Sequence, residues 1–291
     1  AVNNDDDDED GVSNAQDIAP NDPTIAFAAY TPGQGVYGSF AFEDLFPHKG
    51  DYDMNDVVVD YNFKEYLNAS NQIVKMETSL ILRATGGVTQ NGFGFELGVA
   101  PDKIAEVTGS QISGGSLQFL PSGVEAGQEK AVVIAYDDGH ALFDGGSNRT
   151  YVNTQKGQAE QEPVELDLTV IFTEPIAREY LGLAPFNPFI FTGGLRGKEI
   201  HLRNYPPTSL ANVDFFGSGD DATQVNSGNY YKTSTNLPFA IHVPVSFNYP
   251  VEWSPVNAAY LKFGDWSQSG GSNFSDWYKK TNGFRDELKI Y

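Results

Sequence analysis

The 291-residue sequence contains no cysteine, which excludes a disulfide framework and thiolate metal sites alike. Only 18 Lys and Arg stand against 39 Asp and Glu, for a net charge of −21. So acidic a surface disfavours nucleic acid and anionic membranes as partners. No apolar run approaches the roughly 20 residues needed to span a bilayer, so direct membrane insertion is not expected. Ala1 is not followed by a secretory signal pattern, and the chain reads as a mature or trimmed form whose export signal and any anchor lie outside it. Enzyme motifs are also missing. The four histidines, His48, His140, His201 and His242, are isolated, and neither H-E-x-x-H nor G-x-S-x-G occurs. The run Gly193 to Glu199 lacks the spacing and the Ser/Thr of a phosphate loop. A carboxylate pair for glycoside hydrolysis stays open, because separation in space is invisible in a sequence.

What the chain does have is acid concentrated in two places and short alternating apolar runs between turns. Residues 1–23 hold eight acids and no Lys or Arg, and residues 43–60 hold six acids and one Lys, so the two stretches carry −13 of the −21. Carboxylates gathered this way repel one another unless a cation sits among them. In KGDYDMNDVVVDY, Asp51, Asp53 and Asn55 stand at alternate positions with Asp56 following. A tightly turning loop could aim those oxygens at one point, the arrangement a hard cation such as calcium requires. The same residues are also ordinary turn formers. An EF-hand it is not: Asp56 holds the sixth position, where Gly is needed, and Asn62 the twelfth, where Glu is needed.

The N-terminal stretch has a firmer register. With Gly11 sixth, Asp6, Asp8 and Asp10 fall first, third and fifth, Val12 offers its carbonyl seventh, Asn14 is ninth and Asp17 twelfth. Every ligand position of a twelve-residue calcium loop is thereby filled, with Asp in place of the usual final Glu. The competing reading is a solvated acidic linker. No amphipathic helix flanks the loop, since Ile18 to Pro23 is a turn-rich exit.

Elsewhere Met76, Thr78, Leu80 and Leu82 alternate, as do Phe93, Phe95, Leu97 and Val99, and Val164 to Phe172. After the second acidic stretch, Val57, Val59, Tyr61 and Phe63 share one face and Val58, Asp60 and Asn62 the other. Such period-two patterns predict half-buried strands, and the apolar run Ala131 to Tyr136 predicts a strand covered on both faces. Short helices are expected near residues 174–183 and 275–280. With 40% hydrophobic and 13% aromatic content, the chain can build a large core. The fold class expected is all-β, a β-sandwich or jelly roll, over residues 24–291, in one or two sub-domains, preceded by an acidic calcium loop over residues 1–23.

Three further features invite a site. Glu96 lies between Gly94 and Gly98, which clear space for a backbone or an ion, so Glu96 could complete the Asp51 site with Glu43 or Asp44, or simply face solvent. Asp220 and Asp221 after Gly217-Ser218-Gly219 read as a turn or as a third metal site. Trp266 and Trp277 bracket a Gly/Ser/Asn stretch, with Tyr278 following. These aromatics could present a surface for sugars or proteins, or could fill a core. Asn68, Asn148 and Asn273 begin N-x-[ST] triplets that read as chance.

DDDEDGVSNAQDIAPNDP resembles one thrombospondin type 3 repeat. The blocks FEDLFPHKGDYDMNDVVVDYNF, NPFIFTGGLRGKEIHLRNYPPT, FGSGDDAT, YYKTSTNLPFAIHVP and YLKFGDWSQSGGSNFSDWY resemble the LruC-type domain of bacterial surface and secreted proteins. One departure is Phe46, where Trp is the expected residue. The resemblance implies an extracellular or cell-surface, β-rich, calcium-associated module and brings no catalytic residues with it. Calcium is the expected cofactor, and an extracellular glycan or protein the expected partner in adhesion or matrix assembly. A secreted carbohydrate-active enzyme, or its carbohydrate-binding domain, is the alternative.

Overall fold

The computed structural model describes residues 5–143 and 150–291; the Asn148 triplet lies outside them. Among the described residues, eleven strands form two antiparallel sheets, as the alternation predicts. In chain order they are β1 (Phe27–Thr31), β2 (Gly38–Phe42), β3 (Val57–Leu67), β4 (Ile73–Ala84), β5 (Asn91–Glu96), β6 (Ile104–Thr108), β7 (Val132–Tyr136), β8 (Val164–Ile176), β9 (Asn187–Thr192), β10 (Glu199–His201) and β11 (Ala240–Val243). The larger sheet runs β11-β2-β3-β4-β8-β6, with β1 also pairing along β3. The smaller runs β10-β9-β5-β7.

Alternation explains the packing. Val57, Val59, Tyr61 and Phe63 of β3 point into the main core with Leu80 and Leu82 of β4 and Leu166, Leu168 and Val170 of β8. Facing them from the smaller sheet are Phe93 and Phe95, with the Phe63 and Phe95 rings edge-to-face at 5.4 Å. Each such side chain, fully buried, contributes about 1.5–3 kcal/mol. The opposite face of the larger sheet is covered at one end. Ala41, Val58, Ala84, Ile241 and Val243 pack there against a C-terminal layer of Phe247, Tyr249, Val256, Tyr260, Phe263 and Trp277. The 131–136 run is buried throughout, because β7 carries a second cluster on its outer face, Val132 and Ile134 meeting Leu117, Phe189 and Phe191.

The helices depart from expectation. Near 174–183 only one turn forms, α2 (Arg178–Leu181), because β8 extends through Ile176 and Gly182 ends the turn at φ 90°. Residues 275–280 form a turn instead of a helix; Phe274, at φ 49°, cannot continue a right-handed helix into it. The other short helices are α1 (Gly139–Leu142), α3 (Val256–Ala259) and α4 (Phe263–Gln268). Among the described residues no helix is long and apolar enough to cross a membrane.

Candidate metal centres and the cavity beside them

In the N-terminal loop, Asp6, Asp8 and Asp10 each offer an oxygen within 4.8 Å of the others. One oxygen of each carboxylate is spent on the loop itself: Gly11 N–H donates to Asp6 Oδ2 at 3.2 Å, Asp10 N–H to Asp8 Oδ1 at 3.2 Å, and Val12 N–H to Asp10 Oδ1 at 2.7 Å. Asp17 does the same, accepting from Ala19 N–H at 2.6 Å. The remaining oxygens, Asp6 Oδ1, Asp8 Oδ2, Asp10 Oδ2 and Asp17 Oδ2, are shielded from solvent and have no hydrogen-bond partner. Gly11, at φ 96°, supplies the sharp bend of the loop. Asn14 is engaged structurally, its Oδ1 accepting from Asp7 N–H at 3.0 Å. Desolvation and the charges of Asp10, Asp17 and Asp6 raise the Asp8 carboxyl above its ordinary value, against the hydrogen bond from Asp10 N–H.

The second acidic stretch connects β2 to β3. Gly50, Tyr52 and Met54 have positive φ, at 63°, 62° and 57°. For the two non-glycine residues that conformation costs roughly 1–2 kcal/mol each. Their N–H groups converge on one acceptor: Tyr52 donates to Glu43 Oε2 at 3.2 Å and Met54 to Glu43 Oε1 at 2.6 Å. The coiled loop thus sets Glu43, Asp51 and Asp53 with one oxygen each within 4.8 Å of the others. Glu43 and Asp53 are fully buried, and Asp51 is partly exposed. Asp53 accepts from Asn55 N–H at 3.3 Å and, across 200 residues of chain, from Trp253 N–H at 2.8 Å. Asn55 is 0% exposed; its Nδ2 donates to Pro250 O at 3.1 Å, and its Oδ1 has no partner.

Beside this cluster opens a cavity of about 420 Å³ walled by Asp44, Asp51, Asp56, Glu252, Tyr151 and Trp253, with Gly86 and Gly87 between them. Asp56 Oδ2 accepts from Asp44 N–H at 2.8 Å, and Asp44 Oδ2 from Asn91 Nδ2 at 2.8 Å. Glu252 Oε2 accepts from Thr154 Oγ1 at 2.5 Å. Burial, and next the charge of Asp53, pushes the Glu43 carboxyl well above the usual carboxylate range. Burial with the charges of Glu43 and Asp44 does the same to Asp56. Burial with Asp51 and Glu252 lifts Asp53 to about 8, and burial with Asp51 and Asp44 lifts Glu252 to about 7. Asp44 is raised by burial, partly offset by the hydrogen bond from Asn91. Buried acids shifted together this way need either protons or a cation among them.

The other sequence candidates fall elsewhere. Glu96 is not brought to this cluster: it lies against Lys130 Nζ at 3.5 Å, at the far end of β5 from Asn91. Its flanking glycines admit backbone and no ion, a Cβ on Gly94 meeting Val133 O at 2.7 Å and one on Gly98 meeting Tyr180 O at 2.4 Å. Asp221 closes its own turn, accepting from Gly217 N–H, while Asp220 accepts from Lys49 N–H across 171 residues of chain. Trp277 is 1% exposed and packs on Phe263, Tyr260 and Phe247, with Trp266 and Tyr278 half-buried against the same cluster. The core reading therefore holds for Trp277. The aromatics exposed beside this cluster are Trp253 and Tyr151, at 62% and 38%, which the sequence reading passed over together with Glu252. A Glu-Trp dipeptide carries no local pattern that could have singled it out.

A family model described as Domain of unknown function (DUF4842) matches residues 71–278, a span that includes Glu252 and Trp253. Among solved structures, the chain is similar to the crystal structure of a "Putative lipoprotein" from Bacteroides ovatus. The TM-score is 0.65, with 20% sequence identity, covering 91% of this chain and 76% of that one. At that identity the likeness shows the fold. No curated protein matches the chain.

Proposed function

We propose that this chain, which belongs to the DUF4842 family, is a calcium-stabilised β-rich module working outside the cell or on its surface, in adhesion or matrix binding. The observation that carries the reading is the set of four shielded, unpartnered oxygens from Asp6, Asp8, Asp10 and Asp17. Free oxygens at positions one, three, five and twelve of a loop are what calcium collects. The cluster of Glu43, Asp51 and Asp53 is the second centre. Both oxygens of Glu43 and of Asp53 are held by backbone N–H groups, which favours fixed ligands over mobile acid–base catalysts. An external setting is supported by calcium sites of this kind, which suit millimolar calcium, by the name of the structural relative, and by the motif blocks resembling LruC-type and thrombospondin type 3 sequences.

A ligand that binds only the folded chain adds RT ln(1 + [L]/Kd) to its stability. Millimolar calcium, against Kd values of about 10⁻⁴ to 10⁻³ M, should raise the melting temperature by a few degrees over protein stripped with excess chelator. Calorimetry should show calcium binding with magnesium competing poorly. Identical melting curves in the two conditions, with metal analysis proving the stripped sample metal-free, would overturn the reading.

A further inference from the structure

We propose that the cavity beside Glu43, Asp51 and Asp53 is a calcium-dependent binding site for a neutral glycan, whose sugar ring stacks on the Trp253 and Tyr151 rings while its hydroxyls complete the ion's coordination. The inference rests on the calcium reading of that cluster. Its independent support is the aromatic platform and the cavity wall. Trp253 is 62% exposed and has φ 63°, a conformation that strains any residue with a Cβ. Folding normally hides an indole in relaxed backbone; this one is held outward, and the group holding its N–H at 2.8 Å is Asp53 Oδ2. The carboxylate that would bind the ion therefore also sets the aromatic. Tyr151 stands edge-to-face with Trp253 at 5.6 Å, so the two rings form a corner at the cavity rim.

The wall points to a ligand as well. Behind the wall, Asn55 is fully buried and its Oδ1, without a partner, lies against Gly86, where a Cβ would sit 1.9 Å from it. Gly86 and Gly87 present backbone to the space among these side chains. Calcium takes six to eight oxygens, more than three side chains supply, so ligand hydroxyls have vacancies to fill. The volume of about 420 Å³ falls within the range of small-molecule sites. Charge selects the ligand class. Asp44, Asp51, Asp56 and Glu252 all line the space, so an anionic sugar would meet a wall of acids, while a cationic ligand would compete with the ion itself.

The test uses a printed array of neutral glycans, spanning hexose, 6-deoxyhexose and pentose chains, with the full chain and two variants. Trp253→Asn removes the ring while keeping a residue that tolerates positive φ, and Tyr151→Ala removes the second ring. In millimolar calcium the native protein should bind at least one neutral glycan, and chelator should abolish the signal. Trp253→Asn should weaken it about tenfold or more, with its calcium heat and melting temperature unchanged. Calcium binding by calorimetry with no glycan bound overturns this inference and leaves the metal reading standing. Glycan binding that survives chelator, or survives the loss of both rings, also overturns it. Absence of any calcium heat at the cluster overturns the metal reading, and this inference with it.

Discussion

His242 shows how one side chain ties this fold to pH. It sits on β11 with Nε2 2.6 Å from the Tyr61 hydroxyl and its ring tilted against Phe40 and Tyr61. Burial pushes its imidazole down to about 4, against roughly 6.5 in an unfolded chain. With the folded value depressed, the stabilisation is present above pH 6.5 and is lost as pH falls toward 4, because the unfolded chain takes the proton more readily. The loss approaches ~1.4 kcal/mol per pH unit in that window. Urea denaturation at stepped pH should show this slope in calcium-saturated protein, and His242→Gln should flatten it. An unaltered slope in the variant would assign the pH dependence to other groups. Glu199 makes the contrasting case. Burial raises it, yet the hydrogen bond and charge of His201, the charge of Arg196 and the Thr208 hydroxyl hold it down at about 2, so it stays ionised inside the sandwich.

The two acidic segments are alike in composition and differ in what rests on them. The N-terminal loop has almost no apolar residues, so on the proposed calcium reading its order depends on a bound ion. The β2–β3 loop leads into β3, whose register with β2 and β4 places the main core, and its Asp53 also anchors the C-terminal layer through Trp253. In millimolar calcium, Asp8→Ala with Asp10→Ala should leave the global melting temperature nearly unchanged while exposing residues 1–23 to limited proteolysis. Asp51→Ala with Asp53→Ala should lower the melting temperature by roughly 5–10 °C, since it takes two carboxylates from the proposed ion site and leaves buried N–H groups unpaired. If the first pair unfolds the chain and the second does nothing, the structural weight lies in the opposite loop.

Across the whole molecule, three layers depend on one another: the smaller sheet, the larger sheet, and the C-terminal layer that covers one end of it. Trp277 is the keystone of the last, its ring 4.9 Å from that of Phe263, 5.1 Å from Tyr260 and 5.7 Å from Phe247. Trp277→Ala should cost about 3–5 kcal/mol in denaturant unfolding. Because Pro250, Glu252 and Trp253 belong to this layer, calorimetry of that variant should also show calcium lost from the inner centre while the N-terminal loop still binds. Retention of both ions would mean that the layer and the centre are uncoupled.

Local spacing was enough for everything that repeats over a few residues. Alternation along β3, β4, β5 and β8 predicted strands and an all-β fold, because successive side chains in a strand face opposite ways whatever lies across from them. The register from Asp6 to Asp17 named Asp6, Asp8 and Asp10, whose oxygens lie together, and Asn14, whose Oδ1 instead accepts from Asp7 N–H; spacing names candidates, and hydrogen bonds within the loop decide which oxygens stay free. Spacing could not tell which partners arrive from afar. Glu252 and Trp253 reach Thr154 and Asp53 over 98 and 200 residues, and nothing in the neighbourhood of either residue records that meeting. Glu43 looked secondary to Asn55 in the sequence, yet the positive-φ backbone at Tyr52 and Met54 turns their N–H groups onto it and puts it at the centre. Trp277 and Trp253 are the same residue type in similar polar company; the tertiary structure buried one and exposed the other, because burial depends on what packs over a side chain and not on the side chain alone.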